Sequence, residues 1–299
     1  MTGPASIDLR HAPVLGVLWM TAAALCFSVA IGFVRHLSDT YTTFEIAFFR
    51  QVLGLVLASL WVWRAGFAVL RTSVLHLHFV RAILAYGGLV GSYYAVRLVS
   101  IADTQALQFT LPFFTFVFAA WVLNETIRSH RVVTTIIGFV GALIIIRPGF
   151  VDTNIGMLIA LGASALFAGS DVTNRYLSGS DAVGTIMFYG FVIQLPIGLA
   201  TSIPGWVTPS LAELPVIGMF AVSAVAAHWC LTHAFSVAET SLVSPVLYLR
   251  LPFAALIGFV FFDQVTDLWT WIGAAVMIAS TVYCTRVDAR VTAKQTTKF

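Results

Sequence analysis

A stripe of hydroxyl and proline residues occupies one face of a long apolar stretch near residue 250. Ser241, Ser244, Pro245, Tyr248 and Pro252 recur at steps of three and four residues, which is the spacing of one helix face. A proline inside a helix removes a backbone hydrogen bond and frees a carbonyl oxygen. The stripe therefore predicts a polar binding site beside a helix break, with Ser244 and Tyr248 as substrate contacts. The alternative is that the small hydroxyls only bring helices close together.

A second apolar stretch carries a shorter version of this pattern. Thr104, Gln108 and Pro112 share a helix face, and Phe109 lies beside it. Gln108 would be a buried amide, so it needs a partner, which can be substrate, water or another helix. Pro112, Pro245 and Pro252 are the predicted helix breaks around which the site opens and closes.

Two arginines fall inside stretches long enough to span a membrane. Arg250 lies near the middle of one, where an ionised side chain costs about 3 kcal/mol or more unless it is paired or hydrated. It can hold a substrate carboxylate through its fork of donors, or it can pair with a carbonyl freed by Pro252 or with Glu45. We favour the structural pairing. Arg50 lies close to Glu45 in sequence, which favours a structural pair there as well.

Asp171 and His228 are the candidates for carrying protons. Most other acids lie near predicted helix ends, whereas Asp171 approaches the interior of its stretch. Because Asp171 is also within one turn of Arg175, we favour a salt-bridged helix end. Histidine titrates near neutral pH, so proton coupling through His228 stays open. The stretch 14–36 contains no acid, which argues against cation exchange that depends on a carboxylate there.

Aromatic side chains are expected to form the walls next to these polar groups. Phenylalanine is abundant, at 24 residues, so most of these rings are expected to face lipid or packing. The candidates for contact with the apolar part of a substrate are Phe27, Tyr93, Tyr94, Phe109, Phe167, His228 and Trp229.

Motifs for other chemistry do not occur in the sequence. There is no GxxxxGK phosphate loop, and no HExxH, no GxSxG and no pair of intramembrane aspartates indicates a hydrolase. The three cysteines, Cys26, Cys230 and Cys284, lack the spacing of metal ligands or of a redox pair. We therefore predict no enzyme activity, no metal site, no cofactor and no binding of nucleic acid.

The elements that position these residues are membrane-spanning helices. Hydrophobic residues make up 59% of the 299-residue chain and charged residues 10%, against about a quarter charged in soluble chains. A spanning helix needs roughly 20 mostly apolar residues. The fold class is therefore all-α and integral to the membrane. Ten stretches qualify, at 14–36, 43–63, 79–97, 104–123, 132–148, 155–175, 184–203, 213–235, 240–262 and 269–286.

The ten stretches form two copies of one unit. Five helices per unit is an odd number, so the second copy must be inverted in the membrane. We place the halves at residues 1–148 and 149–299. Prolines at matching positions of two inverted halves are typical of the substrate site of a secondary transporter. Residues that match at an offset of 140 include Leu111-Pro112-Phe113 with Leu251-Pro252-Phe253, Gly16 with Gly156, and Phe27 with Phe167.

The match shifts just before the prolines. Ala102-Asp103-Thr104 resembles Ala238-Glu239-Thr240 at an offset of 136 rather than 140. Four residues are about one helical turn. The fourth and ninth stretches are therefore expected to differ by one turn, which would make the two half-sites similar but not identical.

The basic residues indicate the orientation of the chain. With the N-terminus inside, 11 of the 16 lysines and arginines fall on the cytoplasmic side, as the positive-inside rule requires. We therefore predict a multi-pass protein of the bacterial inner membrane with both termini in the cytoplasm. The alternative for residues 10–30, a cleaved secretory signal, would leave nine spans and one half incomplete.

Several segments follow one another in a recognisable order. Pro-Phe-Ala-Ala-Leu-Ile-Gly stands at 252–258, Phe-Phe-Asp-Gln at 261–264 and Trp-Ile-Gly-Ala-Ala at 271–275. This order resembles the second repeat of EamA-type members of the drug/metabolite transporter superfamily, and Phe49-Arg50 resembles an arginine usual in that family. The chain departs from many relatives in having Arg250 where they carry a glutamate beside the proline.

The resemblance implies ten helices in two inverted repeats around a central cavity. Within the family the chain looks most like YddG-type exporters of aromatic amino acids, which implies alternating-access export of an aromatic or other amphipathic neutral amino acid or metabolite. The alternatives are a broad exporter of hydrophobic drugs or metabolites, with or without proton coupling, and a channel. The expected partners are a small-molecule substrate and membrane lipid, and we expect a monomer.

Overall fold

The chain folds into helices joined by short turns. The structure, a computed structural model, describes residues 13–122, 129–148, 154–238 and 243–296, without the side chains of residues 13, 122, 129, 244 and 288–296. Four 3-10 segments cover Phe67–Leu70, Gln108–Thr110, Ile203–Gly205 and Ser244–Leu249. The α-helices are α1 Pro13–Leu37, α2 Thr43–Ala65, α3 Leu75–Leu98, α4 Ile101–Leu107, α5 Leu111–Val122, α6 Ser129–Ile146, α7 Ile155–Leu177, α8 Val183–Ser202, α9 Leu214–Val237, α10 Arg250–Phe262 and α11 Leu268–Thr296.

The described ranges hold the ten predicted spans apart from residue 123 of the fourth and residues 240–242 of the ninth. Eight elements are long and apolar enough to cross a membrane, and α6 is a shorter apolar helix. The remaining span is composite, because α4, a 3-10 turn and α5 follow one another from 101 to 122. The prediction of an all-α membrane protein is confirmed.

Two helix bounds differ from the predicted ones by more than three residues. Helix α3 begins at Leu75 rather than at 79, so Arg81, one of the 11 basic residues counted on the cytoplasmic side, lies nearly two turns inside the helix. Helix α11 continues to Thr296, beyond the end of the last predicted stretch at 286. The position of Arg81 matters for the site described below.

The helix pairs that pack together in the structure are the same when each helix is replaced by its counterpart in the other half. Helix α3 packs along α7, and its counterpart α9 packs along α1. Helix α2 pairs with its own counterpart α8, and α6 pairs with α11. The fourth span packs on α7 as α10 of the ninth packs on α1. The arrangement is therefore that of two related five-span units facing each other.

Glycines at equivalent positions show the same relation at atomic scale. A Cβ added to Gly16 would lie 2.3 Å from the Cβ of Ala238, and one added to Gly156 would lie 2.6 Å from the Cβ of Leu98. Both separations are too short for carbon atoms, so glycine is required at each place. Leu98 and Ala238 are themselves 140 residues apart. The close contact of α1 with α9 is thus repeated between α7 and α3.

The fourth and ninth spans are not continuous α-helices. Pro112 and Pro252 have no N–H to donate, and the chain before each proline tightens into a 3-10 segment. The segment is three residues long in the fourth span and six in the ninth, so the extra residues of the ninth span are taken up beside its proline. Residues 239–242, on which the predicted one-turn shift also rests, lie outside the described residues.

The 3-10 segments provide hydrogen-bond donors for the carbonyl groups that the prolines cannot pair. Gln108 and Tyr248 stand four residues before the two prolines, and a free carbonyl was expected at this point. The Gln108 carbonyl accepts the N–H of Leu111, and the Tyr248 carbonyl accepts the N–H of Arg250. The expectation of an unsatisfied carbonyl is corrected for Gln108, which accepts a 3-10 bond, whereas the 3-10 bond of the Arg250 N–H goes to the Leu247 carbonyl and Tyr248 only shares that donor.

Candidate functional site

Arg250 begins α10 and reaches across to the fourth span. Its Nη2 donates to Oε1 of Gln105 at 2.9 Å and to Oε1 of Gln108 at 3.1 Å. Its guanidinium carbon lies 4.9 Å from the centre of the Phe27 ring, within the range of a cation–π contact. The hydroxyl of Ser28 donates to the Arg250 carbonyl at 3.0 Å. Side chains and backbone of three spans therefore meet at Arg250.

The two glutamines continue this network differently. Gln108 donates through Nε2 to the hydroxyl of Ser92 at 2.5 Å, which fixes the orientation of its amide. Gln105 is 1% exposed, and its Nε2 has no hydrogen-bond partner. Nε of Arg250 is also buried without a partner. We call Arg250, Gln105, Gln108, Ser92 and Phe27 the central cluster.

The partners of Arg250 differ from those that the sequence analysis favours. Glu45 is 0% exposed and accepts hydrogen bonds at the start of α2, from the backbone N–H of Thr42 at 2.7 Å and from that of Val207 at 2.5 Å. It belongs to a capping box. The predicted pairing of Glu45 with Arg250 or Arg50 is corrected, because capping the helix uses the carboxylate.

His228 also contacts the Phe27 ring. The two ring centres are 5.0 Å apart, edge to face. Nδ1 of His228 lies 2.9 Å from the carbonyl oxygen of Ala224, and a carbonyl can only accept, so Nδ1 carries a proton. In the neutral tautomer Nε2 is then an acceptor. The ring of Phe27 thus contacts both a cation and an imidazole.

Two further arginines act electrostatically on the same imidazole. Arg50 and Arg81 interact electrostatically with His228, as Arg250 does, and Arg50 also does so with Tyr93. Arg81 donates through Nη1 to the carbonyl of Ile186 at 3.3 Å. Three guanidinium groups therefore face one region between the halves.

Asp171 is an acid that interacts electrostatically with one of these arginines. It is exposed on α7, and its charged neighbour is Arg81 in α3. The pairing with Arg175 in its own helix stays a prediction.

Several predicted aromatic residues form apolar walls near the cluster. Tyr248 stands edge to face on Phe109 with ring centres 4.7 Å apart, and Phe109 is 4% exposed. Tyr93 is buried against Phe220. Phe167 is partly buried against the same apolar core as Tyr93. These rings enclose the polar network between the fourth and ninth spans and α3.

Two of the predicted aromatic residues are exposed in the structure. Trp229 is 62% exposed and stacks on His233, with ring centres 5.1 Å apart, and Tyr94 is 45% exposed. Each follows a residue of the interior, His228 or Tyr93, and one step along a helix turns a side chain by about 100°. Both therefore point away from these neighbours, and their contact with substrate stays a prediction.

The hydroxyl stripe of the ninth span is only partly described. Ser241 lies outside the described residues, and of Ser244 the structure describes the backbone, which starts the 3-10 segment together with Pro245. The roles predicted for Ser244 and Pro245 remain predictions.

Sequence reasoning missed four residues that the structure brings to the site: Gln105, Ser92, Ser28 and Arg81. Gln105 stands three residues before Gln108, so it falls on the same helix face, and a second amide there was a usable signal. Ser28 follows Phe27 directly. The serines carried no such signal, because small hydroxyls are common where membrane helices pack.

The described residues hold no group of histidine, cysteine and carboxylate side chains that could bind a metal ion. An apolar groove of about 530 Å³ lies elsewhere, between α2 and α8, and is lined by residues such as Val52, Trp63 and Leu195. Its lining has the character of a surface that faces lipid. The polar chemistry of the protein is concentrated in the central cluster and the arginines around it.

The sequence matches the model of the EamA-like transporter family twice, over residues 14–147 and 154–286. The chain belongs to the EamA-like transporter family. Members of this family are membrane transporters rather than enzymes. The two matched ranges correspond to the two five-span units of the packing.

Curated relatives and a solved structure agree with this membership. The S-adenosylmethionine uptake transporter of Rickettsia prowazekii is 26% identical over 268 residues, which cover 90% of this chain and 91% of the relative. The riboflavin transporter of Brucella anthropi is 33% identical over 250 residues, covering 82% and 88%. A crystal structure matches with a TM-score of 0.63 and 14% identity over 94% of this chain and 99% of that chain, which shows the fold alone.

Proposed function

We propose that this EamA family member is an alternating-access carrier for an amphipathic metabolite that has an aromatic ring and a carboxylate. The central cluster is its substrate site. The guanidinium of Arg250 and the amides of Gln105 and Gln108 hold the carboxylate end. Phe27, His228 and the nearby rings cover the aromatic end.

The observation that carries this proposal is the environment of Arg250. A guanidinium deep in a membrane protein needs compensation, and its described partners are two neutral amides and an aromatic ring. Amides orient an arginine without neutralising it. The positive charge of the Arg250 guanidinium therefore remains available to a ligand. A carboxylate matches the guanidinium in geometry and in charge.

The position of the cluster suits a carrier. Arg250 belongs to the second half of the chain, residues 149–299, whereas Gln105, Gln108 and Phe27 belong to the first, residues 1–148. A site shared by two units responds when one unit rocks against the other, which is how inverted-repeat carriers expose a fixed site to each side in turn. Pro112 and Pro252 lie beside it, at the ends of the 3-10 segments.

The relatives support the aromatic part of the substrate. The names of the two relatives above refer to S-adenosylmethionine and riboflavin, and both compounds join a flat heteroaromatic ring system to a polar chain. Aromatic amino acids, the candidates from the sequence resemblance, share these two features. One relative is an uptake transporter, so we propose that the gradient sets the direction, outward for a metabolite made in the cell.

We extend the proposal to the setting of the carrier. It acts as a monomer in the bacterial inner membrane with both termini in the cytoplasm, as the distribution of basic residues indicates. Substrate and lipid are its only necessary partners. Transport runs down the substrate gradient.

Flux into liposomes tests the proposal. The purified protein is reconstituted, and initial uptake of radiolabelled phenylalanine, tryptophan, riboflavin and S-adenosylmethionine is measured against concentration. Arg250→Gln is compared with Arg64→Gln, which removes an exposed arginine at the end of α2. We expect saturable uptake of at least one compound, lost in Arg250→Gln and kept in Arg64→Gln.

Other outcomes point elsewhere. Flux that rises linearly with concentration would indicate a channel. Transport of a lipophilic dye that is indifferent to Arg250→Gln would indicate a broad exporter of hydrophobic compounds. Transport that requires an imposed pH gradient would move the attention to His228 and Asp171 as proton carriers.

A further inference from the structure

The central region holds more positive than negative charge. Arg50, Arg81 and Arg250 all interact with His228, whereas the one acid that the described residues bring into this group is Asp171, which is opposite Arg81. Asp171 offsets part of the charge of Arg81. Arg50 and Arg250 then remain as two cations without a described acid.

The unpaired polar atoms of this region also indicate a ligand that accepts hydrogen bonds. Nε of Arg250, Nε of Arg81 and Nε2 of Gln105 are buried and have no hydrogen-bond partner. All three are donors, and none of them can accept. Buried donors are normally paired in folded proteins, so these three donors call for acceptors, which an incoming ligand can supply.

From these two observations we infer that the substrate is bound as a net anion, an aromatic carboxylate without a compensating ammonium group. Its carboxylate accepts from the Arg250 guanidinium and from Gln105 Nε2, and Arg50 supplies the second positive charge. An α-ammonium group would meet the positive charges of Arg50, Arg81 and Arg250 here. The neutral Nε2 of His228 is an acceptor for it, but no described carboxylate is left free to balance its charge. This inference rests on the proposed function and narrows its substrate class.

The charge preference distinguishes this site from one for aromatic amino acids. Phenylalanine and phenylpyruvate share the ring and the carboxylate, but only phenylalanine carries an ammonium group. Phenethylamine has the ring and the ammonium group without the carboxylate. The three compounds therefore separate recognition of the ring from recognition of the charge.

The test measures uptake of radiolabelled phenylpyruvate, phenylalanine and phenethylamine into the same proteoliposomes, at equal pH on both sides. We expect phenylpyruvate to be carried about tenfold more efficiently than phenylalanine, as for the loss of one charge-assisted hydrogen bond, and phenethylamine not at all. Arg250→Gln and Arg50→Gln should each lower phenylpyruvate uptake. Arg97→Gln, an exposed arginine at the end of α3, is the matched control.

The outcomes separate this inference from the proposed function. If phenylalanine is carried as well as or better than phenylpyruvate, the anion preference is wrong while the carrier stands. If none of the three compounds, nor riboflavin or S-adenosylmethionine, shows saturable uptake, the proposed function fails and the inference fails with it. A preference for phenylpyruvate that persists in Arg250→Gln would place anion recognition at a different site and overturn the inference.

Discussion

The two halves of the protein place a phenylalanine at the same position of the repeat and surround it with different chemistry. Phe27 lies 5.0 Å from the ring of His228 and 4.9 Å from the guanidinium carbon of Arg250. Phe167 packs instead over Gly88, where an added Cβ would lie 2.9 Å from the ring. Gly88 and His228 are also 140 residues apart. The repeat supplies the frame, and residue changes at equivalent positions supply the chemistry.

The fourth and ninth spans differ in the same way. Arg250 stands where the first half has Thr110, a buried residue whose hydroxyl donates to the carbonyl of Leu107 at 2.7 Å. Gln108 stands where the second half has Tyr248. The cation thus comes from one half and the amides from the other. A site with unlike halves suits a substrate with unlike ends.

Removing the charge of Arg250 should have the largest effect. In Arg250→Gln we expect substrate uptake to fall about 100-fold, because truncating one side of a buried charged contact typically costs about 2–5 kcal/mol. The equivalent change in the other half, Thr110→Val, removes a hydroxyl that bonds within its own segment, and uptake should stay within about twofold. Initial rates per reconstituted protein give the comparison. Equal losses in the two variants would mean that the halves contribute alike.

The amide of Gln108 should matter less than the charge. Gln108→Leu leaves Arg250 with Gln105 as its remaining amide partner and strips Ser92 of its partner, so we expect uptake to fall about tenfold, the value of one hydrogen bond to a charged group. The measurement is kcat/KM in proteoliposomes. Its repeat counterpart supplies the control: Tyr248→Phe keeps the ring against Phe109 and should change kcat/KM by less than about threefold. A larger loss in Tyr248→Phe would place the polar contact in the ninth span.

The two phenylalanines should respond unequally to the same substitution. Phe27→Leu removes the ring beneath Arg250, and we expect KM to rise about fivefold, as for a cation–π contact of roughly 1 kcal/mol. Phe167→Leu should raise KM by less than about twofold, because that ring packs on glycine and apolar neighbours. Initial uptake rates over a series of substrate concentrations give the KM of both variants. A comparable rise for Phe167→Leu would show that substrate touches both rings.

At the glycines where helices pack closely, equivalent substitutions in the two halves should instead have similar effects, and these are the smallest effects on transport. Gly16→Ala and Gly156→Ala each force a methyl group against the partner helix, and overpacking of this kind costs about 1–3 kcal/mol. We expect the two variants to lower the melting temperature in detergent by similar amounts. Scanning fluorimetry tests this. A drop confined to one variant would argue that the packing repeat does not hold.

The frame was predictable from the sequence because its signals are local or periodic. The length of the apolar stretches predicted the spans, and the offset of 140 residues predicted which helices are equivalent. The prolines predicted the breaks in the fourth and ninth spans. Phe27, His228, Gln108 and Arg250 were all named beforehand, since buried polar groups and rings beside a break are unusual enough to notice.

The partners inside the site were not predictable in the same way. The contact of Arg250 with Gln105 joins residues 145 positions apart in sequence, and only the packing of three spans creates it. Glu45 looked like a partner because it is near in sequence, yet helix capping uses it. The depth of Arg81 depends on where α3 begins, and helix ends are the least determined feature of an apolar pattern.

Equilibrium binding tests the central claim most directly, because it separates the site from the transport cycle. The compound that the wild type carries best is dialysed against purified wild type, Arg250→Gln and Arg97→Gln. We predict a loss of affinity of at least about tenfold in Arg250→Gln and no change in Arg97→Gln. Unchanged affinity in Arg250→Gln, in a variant that folds normally, would contradict a substrate site at the central cluster.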